Sequence, residues 1–359
     1  MLPANLLFSE NLESTLEQLL KGYAPQQRFI CCDSTTATTC LPLISGFDCL
    51  RDARQVTIPA GDDHKSVESL SLLWRFFSQE GATRRSVLIN VGGGMVSDLG
   101  GFAAATFKRG MDVINLPTTI LGAVDAAVGG KTGINFNGLK NEVGAFHQPK
   151  AVVFYAPFFA SLDQANCLSG FAEMLKHGLL SDAAYLNSLF KLDLSQPSAP
   201  AFLEAVRRSV EIKHAITSQD PHEKGLRKAL NLGHTMGHAL ESLSHHIQKP
   251  VLHGYAVAWG LVCELFLAHR LLGFPSEELS RISAFVKITY GSLPFTCADY
   301  PYLLEAMTHD KKNDNKGLNF TLLAGIGDLR LDQTLYLDQT SDKALLEASL
   351  DYLRDIMGI

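Results

Sequence analysis

The sequence predicts an α/β fold in two parts: an N-terminal Rossmann-like parallel-sheet domain over residues 1–160 and a mostly α-helical C-terminal domain over residues 161–359. Three observations lead there. In the first half, short apolar runs alternate with amphipathic segments, the rhythm of a parallel sheet with crossover helices. One of those runs ends in Gly92-Gly93-Gly94, a turn that leads into a helical pattern. Beyond about Ser161 helical periodicity dominates and strand signals become scarce. A chain of 359 residues is also long for one core and suits two domains.

The elements follow in order. Arg28 to Cys32 reads as a buried strand ending at Asp33, and Val56 to Ile58 as a second, closed by Pro59-Ala60-Gly61. Val67, Leu70, Leu73, Trp74 and Phe77 recur at helical spacing behind Ser66, a residue suited to cap a helix start. Ser86 to Val91 is a third strand, Val113 to Leu116 a fourth stopped by Pro117, and Ala151 to Tyr155 a fifth. In the second half, helices are expected over Ala201 to Ser218, Gly233 to Ser244, Tyr255 to Leu272, Ser276 to Val286 and Asp342 to Met357. Asp193 to Pro200 reads as a loop, and Leu318 to Ala324 is prone to form a strand.

Composition narrows the function. With 46% hydrophobic and 19% charged residues the chain has no disordered signature. A net charge of -6 argues against a nucleic-acid binder, but leaves room for an anionic small molecule held by a local cluster of cations. Seven cysteines without a C-x-x-C pair fit a reducing cytosol. No signal peptide is read at the N-terminus, and no uncharged apolar run of about 18 residues appears. A cytoplasmic protein with no membrane partner is expected.

The glycine turn Val91 to Asp98 suits a nucleotide, because glycine lets the backbone approach a pyrophosphate and the following helix offers free N–H groups. The dinucleotide fingerprint is incomplete, since Ser97 stands where Gly or Ala is expected. A tight strand-to-helix turn is the plainer alternative. Downstream, Asp125 lies in a small apolar helix, and buried carboxylates are rare unless paired. Lys131 follows Gly129-Gly130 and Lys140 follows Gly138-Leu139, with further cations at Arg109, Lys176, Lys213, Arg227, Lys311 and Lys312. Converging cations suit a substrate bearing a carboxylate and a phosphate.

His234 and His238 stand one helical turn apart, close enough to share a metal or one ligand; an ordinary pair of helix-face histidines is the alternative. His253 and Glu173, from other segments, complete the kind of set an open catalytic zinc site needs.

Taken as ordered blocks, these residues resemble the 3-dehydroquinate synthases. Gly92 to Phe102 resembles that family's nucleotide loop. Leu116-Pro117-Thr118-Thr119, Val124-Asp125 with Val128 to Thr132, and Gly144-Ala145-Phe146 with Gln148-Pro149 match its next blocks. Gly170 to Glu173 with Lys176, Gly225-Leu226-Arg227, Leu230 to His238, Leu252-His253-Gly254 and Asp310-Lys311-Lys312 follow in order, so that the likeness runs from about Pro59 to Gly327.

The resemblance implies a dehydroquinate synthase-like fold, a bound NAD, one divalent metal (Zn2+ or Co2+) and a homodimer. It implies conversion of 3-deoxy-D-arabino-heptulosonate 7-phosphate to 3-dehydroquinate and phosphate in the shikimate pathway. The steps are transient oxidation by NAD, phosphate elimination, reduction, ring opening and an intramolecular aldol. It makes Glu173, His234 and His253 the metal ligands and gives His238 a place on the substrate side. Arg109, Asp125, Lys131, Asn141, Lys176, Lys213, Arg227, Asn231 and Lys312 (or its neighbour Lys311) match substrate-side positions. Asp33, Asp62, Lys65, Gly93, Gly94, Asp98, Thr118, Thr119, Lys131 and Lys140 match the NAD side. Three positions depart from the pattern: Asp62 and Tyr255 stand where Glu is usual, as does Asn166 near the cofactor. The competing readings are another sugar phosphate cyclase, a metal-dependent polyol dehydrogenase of related fold, and a non-catalytic relic.

Overall fold

Each buried strand of the first half must hide both faces, so its apolar residues run on without alternation and its side chains pack two opposite cores. The computed structural model, which describes residues 2–308 and 317–359, shows this. It divides into two compact units, one of Met1–Cys167 with Asp193–His214, the other of Leu168–Leu192 with Ala215–Ile359. The boundaries at Cys167/Leu168 and His214/Ala215 fall inside the helices Gln164–Ser181 and Pro200–Gln219.

In the first unit, β1 (Leu6–Phe8), β2 (Arg28–Asp33), β3 (Arg54–Ile58), β4 (Val87–Gly92), β5 (Asp112–Pro117) and β8 (Ala151–Phe154) form one sheet in the order β1-β8-β5-β4-β2-β3. Every pairing is parallel. Ile30, Cys32, Ile89, Val91, Ile114 and Val153 pack one face, while Phe29, Cys31, Leu88, Val113, Val56 and Ile58 pack the other. The chain goes from β2 outward to β3, then returns to β4 on the other side of β2. The crevice at the carboxyl ends of β2 and β4 is therefore a topological switch point, where open parallel sheets bind ligands. Asp33 ends one of these strands and Gly92 the other.

Three features of this unit lay beyond the sequence expectation, the first being the edge strand β1. Asp125 lies in a single π-helical turn, Gly122–Ala126, in which the Ala127 N–H donates to the Gly122 carbonyl at 2.9 Å. Between Lys131 and Phe146 the chain forms an antiparallel hairpin, β6 (Lys131–Phe136) and β7 (Leu139–Phe146). Its apolar side chains Phe136, Leu139, Val143 and Phe146 are exposed.

The second unit is helical, as expected, apart from the antiparallel pair β9 (Leu318–Gly325) and β10 (Asp328–Leu335). Its centre is the His253–Leu272 helix, packed by the helices His234–His246, Ser276–Tyr290 and Thr340–Met357 and by β9. Among the described residues this is the one helix long and apolar enough to cross a membrane, and 67% of its most apolar stretch is buried. Glycines bring it close to the His234–His246 helix. A Cβ on Gly260 would stand 2.6 Å from the Gly237 nitrogen, so a side chain there would drive the two backbones apart.

Candidate active site

Three helices of the second unit place their ligating atoms around one point. Glu173, fully buried, comes from Gln164–Ser181; His234 and His253 are each the first residue of a helix. His234 Nε2 lies 3.4 Å and His253 Nε2 3.5 Å from Glu173 Oε1. Ligands held about 2.0–2.1 Å from a tetrahedral metal stand about 3.4 Å apart, so both separations suit a zinc-sized ion, and all three ligand atoms lie within 4.8 Å of one another. Neither Glu173 oxygen accepts an ordinary hydrogen bond, and the buried Lys176, one turn along, forms an ion pair with Oε2. A buried, charged carboxylate between two imidazoles, with neither oxygen accepting an ordinary hydrogen bond, is a donor set suited to a divalent cation.

The three groups are held in different charge states, and a cation would have to displace the proton on His253. Burial would push the Glu173 carboxyl up, but the charge of Lys176 and the two histidines hold it well below the usual range. Burial and the charge of Lys176 press the His234 imidazole down to about 4, so it is neutral, as a ligand must be. Burial pulls His253 down too, but its contacts with Glu173 and Glu241 prevail and raise it to about 10. The second nitrogen of each ring is directed by the protein. His234 Nδ1 lies 3.1 Å from the Leu232 carbonyl, and His253 Nδ1 lies 3.4 Å from Glu241 Oε2. Metal-binding histidines are commonly oriented through such contacts.

In the first unit the glycine loop closes on the turn after β5. A Cβ on Gly93 would lie 3.0 Å from Thr119 Cγ2, and one on Gly94 3.1 Å from the Ala126 methyl, so the loop packs closely on both and has little room for a side chain at either glycine. The Thr119 hydroxyl accepts the Gly122 N–H at 2.9 Å, while the buried Thr118 hydroxyl has no hydrogen-bond partner. Asp33 accepts the N–H groups of Thr35 and Thr36, each at 2.8 Å. The buried Lys65 ammonium donates to Asp98 at 2.5 Å and also to the Asn141 side chain. Burial pushes the Asp98 carboxyl up against the pull of that ammonium. Lys213 is ion-paired with Asp125 and donates to its carbonyl as well. A glycine loop opening a helix at a switch point, with an orphaned hydroxyl nearby, fits the pyrophosphate of a dinucleotide.

The comparisons with known proteins bear on this geometry. Models described as 3-dehydroquinate synthase N-terminal and C-terminal match residues 55–169 and 170–313. A 3-dehydroquinate synthase of Parabacteroides distasonis is 47% identical over 354 residues, covering 99% of each chain. The chain belongs to the 3-dehydroquinate synthase family. A second member, from Nitratiruptor sp., is 40% identical over 288 residues, 80% of this chain and 81% of its own. Among solved structures, a 2-epi-5-epi-valiolone synthase of Streptomyces hygroscopicus with NAD+ and Zn2+ bound superposes with a TM-score of 0.84 at 24% identity, covering 99% and 98% of the two chains. A 2-deoxy-scyllo-inosose synthase complexed with carbaglucose-6-phosphate, NAD+ and Co2+ gives 0.78 at 22%, covering 95% and 96%. These last two likenesses speak for the fold.

Within this member of the 3-dehydroquinate synthase family, the expected residues fall into distinct groups. Glu173, Lys176, His234 and His253 come together. His238 is exposed, its ring 5.3 Å from that of His234 and 5.8 Å from that of His253, and it does not join the ligating atoms. Arg227 is buried and donates to the Pro221 carbonyl at 2.8 Å, and Asn231 donates to Glu223 at 3.1 Å. Asp62 meets Asn135 at 3.2 Å and Lys140 at 3.5 Å. Lys131 opens β6 with its side chain exposed. Arg109 is also exposed, at a left-handed turn with φ 69°, and no contact among the described residues ties it to the others. Lys311 and Lys312 lie outside the described residues.

Four carboxylates escaped the sequence reading: Asp220, Glu223, Glu241 and Glu264. Asp220 accepts the N–H groups of Lys224, Gly225 and Arg227 at 2.9, 2.7 and 3.0 Å and so shapes the turn that presents Arg227. Glu264 is a lone carboxylate in an apolar helix, the same signal that singled out Asp125.

Proposed function

We propose that the chain closes 3-deoxy-D-arabino-heptulosonate 7-phosphate to 3-dehydroquinate with release of phosphate. The observation that carries this is the Glu173–His234–His253 triangle beside a buried lysine, in a chain that a 3-dehydroquinate synthase matches from end to end. Glu173, His234 and His253 hold a divalent cation, Zn2+ or Co2+, which when bound supplies Lewis acidity toward the substrate hydroxyls. Asp33, Asp62, Lys65, Gly93, Gly94, Asp98, Thr118, Thr119, Lys131 and Lys140 hold NAD, which would accept a hydride and return it and so is not consumed.

The remaining residues bind and orient an anionic sugar-acid phosphate. Arg227 offers the planar fork that suits a carboxylate, with Asn231 one turn along beside it. Lys176 neutralises Glu173 and presents further N–H donors toward a bound hydroxyl. His238, one turn after His234, exchanges a proton at its ring with the substrate. In the sheet unit, Arg109, Asp125, Lys131, Asn141 and Lys213 serve the substrate, with Lys213 holding the Asp125 carboxylate in place. Lys312, or its neighbour Lys311, is assigned to the substrate as well. All this is positioning and electrostatics, in which preorganised charges do most of the work.

A homodimer is part of the proposal, and the exposed Phe136, Leu139, Val143 and Phe146 of the hairpin are an apolar surface that pairing would cover. A cytosolic location accords with seven free thiols, five of them buried.

The decisive assay gives metal-loaded protein the heptulosonate phosphate with catalytic NAD and follows phosphate. Release is expected without net NADH. Release only from a hexose or heptose phosphate would assign another cyclase activity, and accumulating NADH a dehydrogenase.

A further inference from the structure

The two helices that begin with histidine ligands reach across to each other through buried carboxylates. Glu241 follows His234 by seven residues, two turns along the same face, and its Oε2 lies 3.4 Å from Nδ1 of His253 on the other helix. Glu264 follows His253 by eleven residues, three turns along the same face. Its Oε2 accepts the Gly233 N–H at 2.6 Å and its Oε1 the Met236 N–H at 3.2 Å. Those two N–H groups bracket His234.

A helix start is ordinarily capped by its own Ser, Thr, Asp or Asn. Here the capping position is Gly233, at φ 80°, and a Cβ on it would stand 2.7 Å from Leu261 Cδ2. No local side chain fits, so the cap comes from the neighbouring helix. A carboxylate with no exposed surface is costly unless charge and hydrogen bonds compensate, and the free N–H groups and positive end of the helix do so. The consequence reaches the ligand. His234 Nδ1 is tied to Leu232 and its Nε2 faces Glu173, so the ring direction follows the backbone of residues 232–236, which Glu264 holds.

We propose that Glu264 is a positioning residue for the metal ligand His234 and forms, with Glu241, a reciprocal clasp. Each ligand-bearing helix supplies the carboxylate that fixes the other's histidine. This rests on the metal-centre reading above.

The test titrates the full-length apoprotein with Co2+, reading the visible absorption of the bound ion, and measures Zn2+ affinity by competition with a chromophoric chelator. Glu264→Gln is expected to weaken binding by about 10- to 100-fold, the usual effect of losing an outer partner of a metal ligand, and to alter the Co2+ spectrum. Tyr300→Phe, which removes a hydroxyl bond to Asp351 elsewhere in the same unit, is expected to lower thermal stability and leave affinity and spectrum unchanged. If Glu264→Gln does not fold, Glu264→Asp, with the charge kept but one methylene shorter, takes its place with the same expectation. Wild-type affinity and spectrum in the folded variant overturn the clasp, as does an equal loss in Tyr300→Phe. A wild-type chain that binds no Co2+ overturns the metal centre itself, which is a different result.

Discussion

Gly254→Ala adds one methyl group beside His253, and the structure sets how much must move. The new Cβ would stand 2.5 Å from the Ser169 carbonyl carbon and 2.6 Å from its Cα. Non-bonded carbons rest at about 3.5–4.0 Å, so the two backbones must part by about 1 Å. Ser169 lies one helical turn before Glu173, and Gly254 follows His253 directly, so the displacement passes into the ligand triangle. The 3.5 Å between His253 Nε2 and Glu173 Oε1 would open toward about 4.5 Å. Two ligands at about 2.1 Å from one ion cannot be more than about 4.2 Å apart, so one of them is lost. The same change stretches the Gly254 N–H bond to the Ser169 hydroxyl, now 3.1 Å. We expect a folded protein less stable by about 1–3 kcal/mol, typical of overpacking. Metal affinity should fall by about 100-fold or more, and kcat/KM with it. Thermal unfolding with and without Zn2+, together with chelator competition, measures both effects. A folded Gly254→Ala protein that binds Zn2+ as tightly as the wild type would refute the reasoning.

His253→Ala should lose metal and activity together, whereas His238→Ala should keep the metal and lose rate; metal content against kcat separates them, and loss of metal from His238→Ala would overturn the ligand assignment. Gly100→Ala would place a Cβ 2.8 Å from Asn90 Cγ in the buried sheet, and should destabilise the first unit by about 2 kcal/mol, read as a lower Tm. For Asp220, desolvation raises the carboxyl, but bonds from Gly225, Lys224 and Arg227 outweigh it and hold it below its ordinary value. A carboxyl lowered in the fold stabilises above its unfolded pKa, about 3.9, and that contribution disappears as pH falls through the folded value. Asp220→Ala should therefore be less stable than the wild type at neutral pH, with a raised KM, and the difference in Tm should shrink below about pH 4. A difference independent of pH would contradict this.

The parallel strands were legible because a strand buried on both faces must be apolar throughout, and Arg28 to Cys32 or Ser86 to Val91 admit few other readings. The hairpin was missed although its signal was present. Phe136-Asn137-Gly138-Leu139 carries the Asn-Gly pair that favours a two-residue turn, and both central residues have positive φ, 50° and 78°. Polar residues along both strands masked it. The π-helical turn at Asp125 was not legible, since the same residues fit an ordinary helix and the extra residue shows only in hydrogen bonding. The spacing of His234 and His238 suggested a shared ligand. Geometry separates them, because the ring of His234 is turned by Leu232 toward Glu173. Glu241 and Glu264 escaped the sequence reading, because their partners lie on another helix, which no local pattern reveals.

The apolar His253–Leu272 helix has a consequence for the making of the protein. Synthesis releases this segment well before β9 and the Thr340–Met357 helix that pack against it. Leu272 and Thr340 are 68 positions apart. At about 5–20 residues per second, that leaves on the order of 3–14 s in which a stretch able to pass for a membrane span lacks its final cover. The Thr340–Met357 helix supplies the last of that cover, so the burial of the apolar helix is completed only when the end of this sequence has been made.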